Sequence, residues 1–262
     1  MKEQFALAAS RDVLEFLDEA ASRAGLSRGQ TFEDFLTFVR CSLAGRTMEE
    51  EYLQTVAKGY AKGEEGKRGI DSIVKTFANL VMAMEDTGQD VLGDIFTGGI
   101  IYGERGQFFT PDSICLLMAE MTTQDGGSGL QSVNDPTCGS GRFLLAVGKK
   151  HPGWEFTGQD VDHRCVQMTA INLGLNGLQG WAVWQNTLTL ECYRVYRIGF
   201  HLNGGVIREV PVPESPFNHK AIQPSSKQSP SPTPHSVSEQ PKENSPPPDC
   251  SASSGGTQLD LF

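Results

Sequence analysis

The pattern of apolar residues along the chain changes character near residue 95. Before that point apolar residues recur every three to four positions, most clearly in "IDSIVKTFANLVMAM", a spacing that predicts one buried face of a helix. The members of that stripe are Ile70, Ile73, Val74, Phe77, Leu80, Val81 and Met84. "DVLEFLDEAASRAG" and "TFEDFLTFVRCSLAG" repeat the pattern, and each ends in a glycine that favours a helix C-terminus. We therefore predict a helical N-terminal region over residues 1–95.

After residue 95 the apolar segments alternate between helix and strand character. "TPDSICLLMAEM" predicts a helix with Thr110 as N-cap and Pro111 at its first position. The segments "LQSVND", "WEFTGQDVD" and "GWAVWQNTL" predict three strands, with helices between them. Strands that alternate with helices are typical of parallel βαβ units, so residues 96–210 are predicted to form an α/β domain. At its end "YRVYRIGFHLNGGVIREV" predicts a strand pair that turns at 203–205.

The composition changes again at residue 211. Eleven of the 14 prolines lie at or after this position, among many serines and few large apolar residues. Such a segment buries too little apolar surface to offset the entropy lost on ordering. We predict a disordered linker over residues 211–257, followed by a short apolar terminus at 258–262.

Charge and cysteine usage restrict the classes of function. The chain has a net charge of -10, and residues 1–210 alone hold 19 basic and 27 acidic side chains. Tight DNA binders usually carry a basic surface, so this balance argues against tight DNA binding by this chain alone. The six cysteines contain no C-x-x-C pair and the five histidines are scattered, which indicates neither a metal site nor a disulfide framework. Without a signal peptide or an apolar run of about 20 residues, we expect a cytoplasmic protein with no membrane segment.

The stretch "VNDPTCGSGRFLLAV" predicts a glycine-rich turn between a strand and a helix. Such a turn exposes backbone N–H groups and lets a ligand approach the chain closely. It is neither a phosphate-binding P-loop nor a complete G-x-G-x-x-G motif. The next strand ends in Asp160 and Asp162, about 20 residues further on, where a carboxylate can bind the hydroxyls of a ribose. An acid at the end of a strand is also common without any ligand, but the two features together favour a nucleoside.

Four motifs, in order, resemble those of the adenine-specific (N6) DNA methyltransferases, and in particular the methylase subunit of type I restriction-modification systems. They are "GQFFTPDSICLLMAEM", "DPTCGSGRFLL", "TGQDVDHRCVQMTAINLGLNG" and "QNTL". They cover about residues 88–190, and the helical residues before them resemble the family only loosely. The resemblance implies a shortened Rossmann-like sheet that binds S-adenosylmethionine and acts on or near DNA.

The resemblance also implies which residues bind the cofactor. They are Gln107, Phe108, Phe109, Thr110, Pro111, Asp135, Cys138, Gly139, Ser140, Gly141, Asp160 and Asn186. In the family's pattern the first five flank the methionine end, the loop passes under the cofactor, and Asp160 binds the ribose hydroxyls. Asn186 stands where the family often has an acid near the adenine ring, and its amide can still pair with an adenine edge. Simple core packing is an alternative role for one of the two phenylalanines, 108 or 109.

The family's catalytic motif, [DNS]-P-P-[FYW], is not found after Asn186. The nearest sequence is "ESPF" at 214–217, which has Ser215 in place of the first proline. The family uses this motif to accept hydrogen bonds from the target amine and to stack on the flipped base. Catalytic residues are therefore unknown, and two hypotheses remain. The chain is a methyltransferase completed by a catalytic or specificity subunit, or it is a degenerate cofactor-binding or scaffold module.

Two further segments have candidate binding roles. Arg194, Arg197 and Arg208, with Tyr193 and Tyr196, are candidates for contacting nucleic acid, although a solvated strand face is the favoured interpretation. The terminal "QLDLF" resembles the bacterial sliding-clamp-binding pentapeptide. Its five residues, Gln258, Leu259, Asp260, Leu261 and Phe262, end a long polar segment. This position suits an anchor peptide that fills pockets on a partner.

Overall fold

The computed structural model describes residues 5–101, 109–123, 131–201 and 204–218. Its compact unit spans Met1–Gln223, and a second unit, Pro224–Phe262, lies outside the described residues. The helices are α1 (Ala8–Ala24), α2 (Arg28–Leu43), α3 (Glu49–Val56), α4 (Gly69–Thr87), α5 (Val91–Ile95), α6 (Asp112–Thr122), α7 (Arg142–Lys150) and α8 (His163–Leu175). The strands are β1 (Ser132–Asp135), β2 (Glu155–Asp160), β3 (Gln179–Asn186), β4 (Glu191–His201) and β5 (Gly204–Val210). None of the described helices is long and apolar enough to cross a membrane.

The predicted helical N-terminal region is confirmed. α1 ends at Gly25, which adopts a left-handed conformation (φ 72°) that glycine accepts without strain. α4 packs along α1 through a face that combines small residues with Ile73, Leu80 and Met84. The predicted stripe on α4 is too wide, because Val74 and Val81 are exposed. A close helix pair buries a narrower strip than an all-apolar pattern suggests.

The predicted Rossmann-like α/β sheet is also confirmed, as a mixed sheet of five strands in the order β1-β2-β3-β4-β5. β1, β2 and β3 run parallel, with Asp135 opposite Gly158 and Asp160 opposite Trp184. β4 and β5 add antiparallel, as the predicted strand pair, with His201 opposite Gly204. Every strand therefore pairs with its neighbours in the sequence, and β1 lies at one edge.

The described helices that touch the sheet form a row on it. α8 packs on β2, β3, β4 and β5, α7 packs on β1 and β2, and α2 lies against α8. α6 packs against α7 and makes few contacts at most with the strands. One continuous apolar core joins the helical region to the sheet.

Two predicted boundaries differ from the structure. α6 begins at Asp112, and the carbonyl of Pro111 accepts its first backbone hydrogen bonds, so Thr110 is not its N-cap. The predicted start of the linker at 211 falls within described structure. Residues Val212–Glu214 form a 3-10 turn, and Phe217 packs edge-on against Trp181 with ring centroids 5.8 Å apart. The remainder of the predicted linker, 219–257, and the terminal pentapeptide lie outside the described residues.

Candidate cofactor-binding site

The last residues of the three parallel strands are predicted site residues. β1 ends at Asp135, β2 at Asp160 and β3 at Asn186. Because the carboxyl ends of parallel strands meet at one edge of a sheet, the fold brings these three residues to the same side. The glycine loop follows β1 directly and joins it to α7. The structure thus assembles residues that are 51 positions apart in the sequence.

The two glycines of the loop are required by its backbone. Gly139 (φ 54°) and Gly141 (φ 85°) both adopt left-handed conformations, which other residues rarely adopt. A Cβ on Gly141 would lie 3.0 Å from the hydroxyl of Thr169, and one on Gly139 would lie 3.0 Å from the ring of Phe109. The hydroxyl of Thr169 also donates to the carbonyl of Gly139 over 3.0 Å. The loop is therefore closely packed on α8.

Asp160 is bound directly to this loop. Its Oδ2 accepts a hydrogen bond from the backbone N–H of Gly139 over 3.0 Å, and its Oδ1 accepts one from the N–H of Asp162 over 2.9 Å. Burial raises the pKa of the Asp160 carboxyl, and the two backbone hydrogen bonds act in the opposite direction. Each carboxylate oxygen has a further lone pair. Asp160 can therefore accept hydrogen bonds from a ligand's hydroxyls while it holds the loop.

Asp162, the second acid of the pair, has a structural role. It is the N-cap of α8, where its Oδ1 accepts from the N–H of Arg164 over 3.0 Å. It also forms a 2.6 Å ion pair with the Arg164 guanidinium. The capping of α8 accounts for Asp162. Asp160 is therefore the one of the two acids that remains a candidate for contact with a ligand.

A buried carboxylate that the sequence analysis did not single out organises the same loop. Asp90 accepts hydrogen bonds from the hydroxyl of Ser140, from Arg142 Nε over 3.1 Å, from Asn172 Nδ2 over 2.8 Å and from the N–H of Gly93 over 2.9 Å. Asn172 also donates to the carbonyl of Ser140 over 2.8 Å. Asp90 thus joins the start of α5, the start of α7 and the middle of α8. The signal in the sequence was an acid directly before "VLGDI", the position of a helix N-cap.

Phe109 lies over the loop. Its ring stacks on Phe96 with centroids 5.5 Å apart, and the guanidinium of Arg164 lies 5.0 Å from the Phe96 ring. The carbonyl of Thr110 accepts a hydrogen bond from Arg142 over 3.0 Å. Of the five residues predicted to flank the methionine end, Phe109, Thr110 and Pro111 are described. Gln107 and Phe108 lie outside the described residues.

A small cavity of about 90 Å³ opens between Phe109 and the loop. It is lined by Phe109, Thr110, Cys115, Asp135, Thr137, Cys138, Gly139, Ser140, Arg142 and Phe143. Burial raises the pKa of the Asp135 carboxyl, and Asp160 adds to that shift through its charge. Cys138 is fully buried and its thiol pKa is raised by burial. Cys138 is therefore a packed thiol, whereas Asp135 is a carboxylate that borders open space.

A larger cavity, of about 620 Å³, lies on the other side of the carboxyl end of β2. Val161, Asp162, His163 and Arg164 line it together with residues of α2. The ring of His163 stacks on Trp184 with centroids 4.5 Å apart, and Trp184 Nε1 donates to the carbonyl of Val161 over 2.9 Å. These contacts form an aromatic wall beside an exposed Val161. Nine of the ten residues that line this cavity are polar or charged, and Val161 is the one apolar residue.

The side-chain oxygen of Asn186 is engaged in the turn that follows β3. Its Oδ1 accepts hydrogen bonds from the N–H groups of Leu188 over 3.0 Å and Thr189 over 3.2 Å. The side chain thus orders the connection from β3 to β4. Its amide nitrogen stays available as a donor, so contact with an adenine edge remains a prediction.

The functional groups at the glycine loop suit a nucleoside cofactor, but the cavity beside the loop is too small to hold one. Two carboxylates, one of them on the glycine loop, provide acceptors for hydroxyl and ammonium groups. Pockets for small molecules usually measure about 300–1,000 Å³, and the cavity at the loop is well below this range. Phe109 is the side chain that limits it, so the fit requires that its ring move away from Gly139.

The comparisons with known proteins identify the family of the chain. The sequence model described as N-6 DNA Methylase matches residues 88–221, which is just over half of the chain. The chain belongs to the N-6 DNA methylase family. The matched range contains the glycine loop, Asp90, Asp160 and the strand pair β4–β5. It confirms the resemblance found in the motifs, and no curated protein matches the chain.

Two solved structures share a distant likeness with this member of the family. One, assigned to the class I S-adenosylmethionine-dependent methyltransferases of Listeria monocytogenes, is 16% identical at a TM-score of 0.37, over 66% of this chain and 51% of that chain. The other is a type I restriction-modification system methyltransferase subunit from Streptococcus thermophilus. It is 14% identical at a TM-score of 0.36, over 67% of this chain and 57% of that chain. The N-6 DNA methylase chain thus spans little more than half the length of either.

Proposed function

We propose that this chain binds S-adenosylmethionine at the glycine loop and forms the cofactor-binding part of an adenine-specific N6 DNA methyltransferase. The observation that carries the proposal is the hydrogen bond from Gly139 to Asp160. It fixes a carboxylate beside a left-handed glycine at the carboxyl ends of β1 and β2, in a chain of the N-6 DNA methylase family. This combination suits a ribose with two free hydroxyls.

The chain's own residues have binding and orienting roles in this proposal. Asp160 accepts the ribose hydroxyls, and Asp135 attracts the ammonium of the methionine end. The aromatic wall of His163 and Trp184 lies on the adenine side. The cofactor supplies the methyl group on a sulfonium. The ring of Phe109, which packs against Gly139, moves aside to admit the cofactor.

Methyl transfer to an amine also requires hydrogen-bond acceptors aligned with the sulfonium, which relieve the amine of positive charge. The sequence lacks the family's [DNS]-P-P-[FYW] after Asn186. In "ESPF", Phe217 lies against Trp181, near the beginning of β3, and Ser215 donates to the carbonyl of Val212 over 2.8 Å. These residues serve the fold. We therefore propose that a catalytic or specificity subunit completes the enzyme and that DNA binding depends on that subunit, given the acidic balance of the chain.

Calorimetric titration of the full chain with S-adenosylmethionine tests the binding step. Asp160→Ala removes a charged acceptor, and we expect the cofactor to bind about 10- to 100-fold more weakly, the range for hydrogen bonds to a charged group. Asp12→Ala, at an exposed position of α1, is the control for the loss of a carboxylate. If the wild type shows no heat at millimolar cofactor, the proposed cofactor site is wrong.

A second assay tests the need for a partner. The purified chain should transfer no tritiated methyl group to adenine in DNA. The Asp160→Ala variant gives the background level of methyl incorporation. Incorporation by the wild type above this background would contradict the two-chain proposal and would mean that the chain itself supplies the acceptors.

The second candidate function is a scaffold that no longer transfers methyl groups. The missing catalytic motif and the terminal "QLDLF" favour it. In this form the tail would bring the folded unit to a bacterial sliding clamp and thereby to DNA, which compensates for the acidic charge balance of the chain. Cofactor binding without methyl transfer in the presence of every neighbouring gene product would support this candidate.

A further inference from the structure

Helix α4 has an exposed apolar stripe on the side that faces away from α1. The exposed fractions of Val74, Val81 and Met82 are 62%, 37% and 61%, and Ala78 between them is exposed as well. These positions recur at intervals of four, three and one residues, so they share one side of the helix. Single exposed apolar residues are common, whereas several along about two turns of one helix are typical of an interaction surface. We call these four residues the α4 stripe.

Two residues of opposite charge stand at the two ends of the α4 stripe. Lys75 precedes Met82 by seven residues, and Glu85 follows Val81 by four, spacings that place both charges beside the stripe. Both side chains are exposed, and neither forms an ion pair with another residue of the described part of the chain. They are ten residues apart, or about 15 Å along the helix axis. They therefore cannot pair with each other within one copy.

The position of Glu85 is unfavourable in a single helix. It lies in the last turn of α4, which ends at Thr87 and contains no basic residue. The helix dipole places partial negative charge at this end, so a carboxylate here is destabilising. A cation on a neighbouring helix that runs in the opposite direction would offset this cost.

The α4 stripe is complementary to itself when two copies of the helix run antiparallel. If the helices cross midway between positions 75 and 85, Lys75 of each copy stands opposite Glu85 of the other, and one two-fold axis produces this ion pair twice. Ala78 of one copy then lies opposite Met82 of the other, where the small side chain leaves room for the larger one. In a parallel pair, Lys75 would face Lys75 and Glu85 would face Glu85, and like charges repel.

We propose that the α4 stripe binds a second copy of this chain, with the two α4 helices antiparallel and Lys75 of each copy paired with Glu85 of the other. The charge pattern selects this occupant, because an antiparallel copy presents a cation to the anion and an anion to the cation. A single helix pair buries less than the roughly 1,600 Å² of a standard interface, so we expect a weak dimer with micromolar affinity. The pairing does not depend on the proposed function.

Sedimentation equilibrium of the full chain tests the pairing. The wild type should pass from monomer to dimer as its concentration rises through the micromolar range. Lys75→Glu and Glu85→Lys should each weaken the dimer by at least about 10-fold, because each turns both attractive pairs into repulsive ones. The variant with both changes should return to within about threefold of the wild type, since the opposed charges again differ in sign. Lys62→Glu, at an exposed position outside α4, should leave the dimer unchanged.

An equimolar mixture of the two single variants gives a second test. One copy would carry two acids and the other two lysines, so a mixed dimer should form at concentrations where neither variant dimerises alone. Val81→Asp places a carboxylate inside the α4 stripe and should also leave a monomer, and circular dichroism checks that each variant is folded. A wild type that stays monomeric, a dimer that withstands both single charge reversals, or a double variant as weak as the single ones would each overturn the proposal.

Discussion

The hydroxyl of Ser140 donates a hydrogen bond to the carboxylate of Asp90, which lies 50 residues earlier in the chain. Asp90 is buried, and it also accepts hydrogen bonds from the side chains of Arg142 and Asn172 and from the backbone N–H of Gly93. This carboxylate therefore connects the helical region to the glycine loop. It positions the loop without facing the cavity beside it.

Replacing Asp90 should destabilise the protein more than any exposed acid does. Asp90→Ala leaves buried donors without an acceptor, and we expect the free energy of unfolding to fall by about 3 kcal/mol or more. Asp86→Ala, at an exposed position of α4, should change it by less than about 0.5 kcal/mol. Urea denaturation followed by circular dichroism gives both values. Similar small changes in the two variants would show that the network adds little stability.

The glycine loop should tolerate no side chain at Gly141. Gly141→Ala and Gly177→Ala both place an alanine in a left-handed conformation (φ 85° and 66°), but open space surrounds Gly177. Strain of about 1–2 kcal/mol should affect both. The contact with Thr169 should add further destabilisation at Gly141 alone, visible as a lower midpoint in thermal unfolding. Equal midpoints would mean that the loop moves to admit the methyl group.

The chain should lose stability in mild acid through His163. Burial, and then the charges of Arg40 and Arg194, lower the pKa of this imidazole to about 4, whereas Glu51 and Asp162 oppose the shift. The unfolded chain therefore binds a proton below pH 6.5 that the folded chain binds only near pH 4. The stabilising effect is complete above pH 6.5 and is lost as the pH falls toward 4, by about 1–3 kcal/mol.

His163→Gln should make the unfolding free energy less dependent on pH between 6.5 and 4, because glutamine does not titrate. The exposed His201, replaced in the same way, controls for the loss of a histidine. Urea titrations at several pH values provide the measurement. A slope in His163→Gln as steep as that of the wild type would assign the acid sensitivity to other groups.

The terminal pentapeptide should bind a bacterial sliding clamp with micromolar affinity, about -8 kcal/mol, since the contact is small. A labelled "GGTQLDLF" peptide and purified clamp in fluorescence anisotropy provide the test. Replacement of Leu261 and Phe262 by alanine should abolish binding. If both peptides bind equally weakly, the recruitment hypothesis is wrong.

The helices and strands were predicted well, because each of them depends on the spacing of residues that are close together in the sequence. The helical region, the three parallel strands and the strand pair after them follow from periodicity, and the glycine loop follows from residues next to each other. The exposure of Val74 and Val81 could not be read in the same way. Their positions suit a buried stripe, and only the packing of α1 on α4 decides which part of that stripe is covered.

The network around Asp90 was harder to predict, because its members are far apart in the sequence. Asp90 reads as an ordinary helix cap, and Asn172 reads as a polar residue in the middle of α8. Their hydrogen bond of 2.8 Å exists only after the two helices pack. Side chains that meet through tertiary packing leave no periodic signal, so the residue that positions the loop was missed although the loop itself was found.

The spatial order of the five strands is the same as their order of synthesis. Each strand can therefore join the sheet as it leaves the ribosome, without waiting for a later segment to be inserted between earlier ones. Growth proceeds in one direction, away from β1. The first strand made, β1, is therefore an edge strand of the described sheet from the earliest stage of folding.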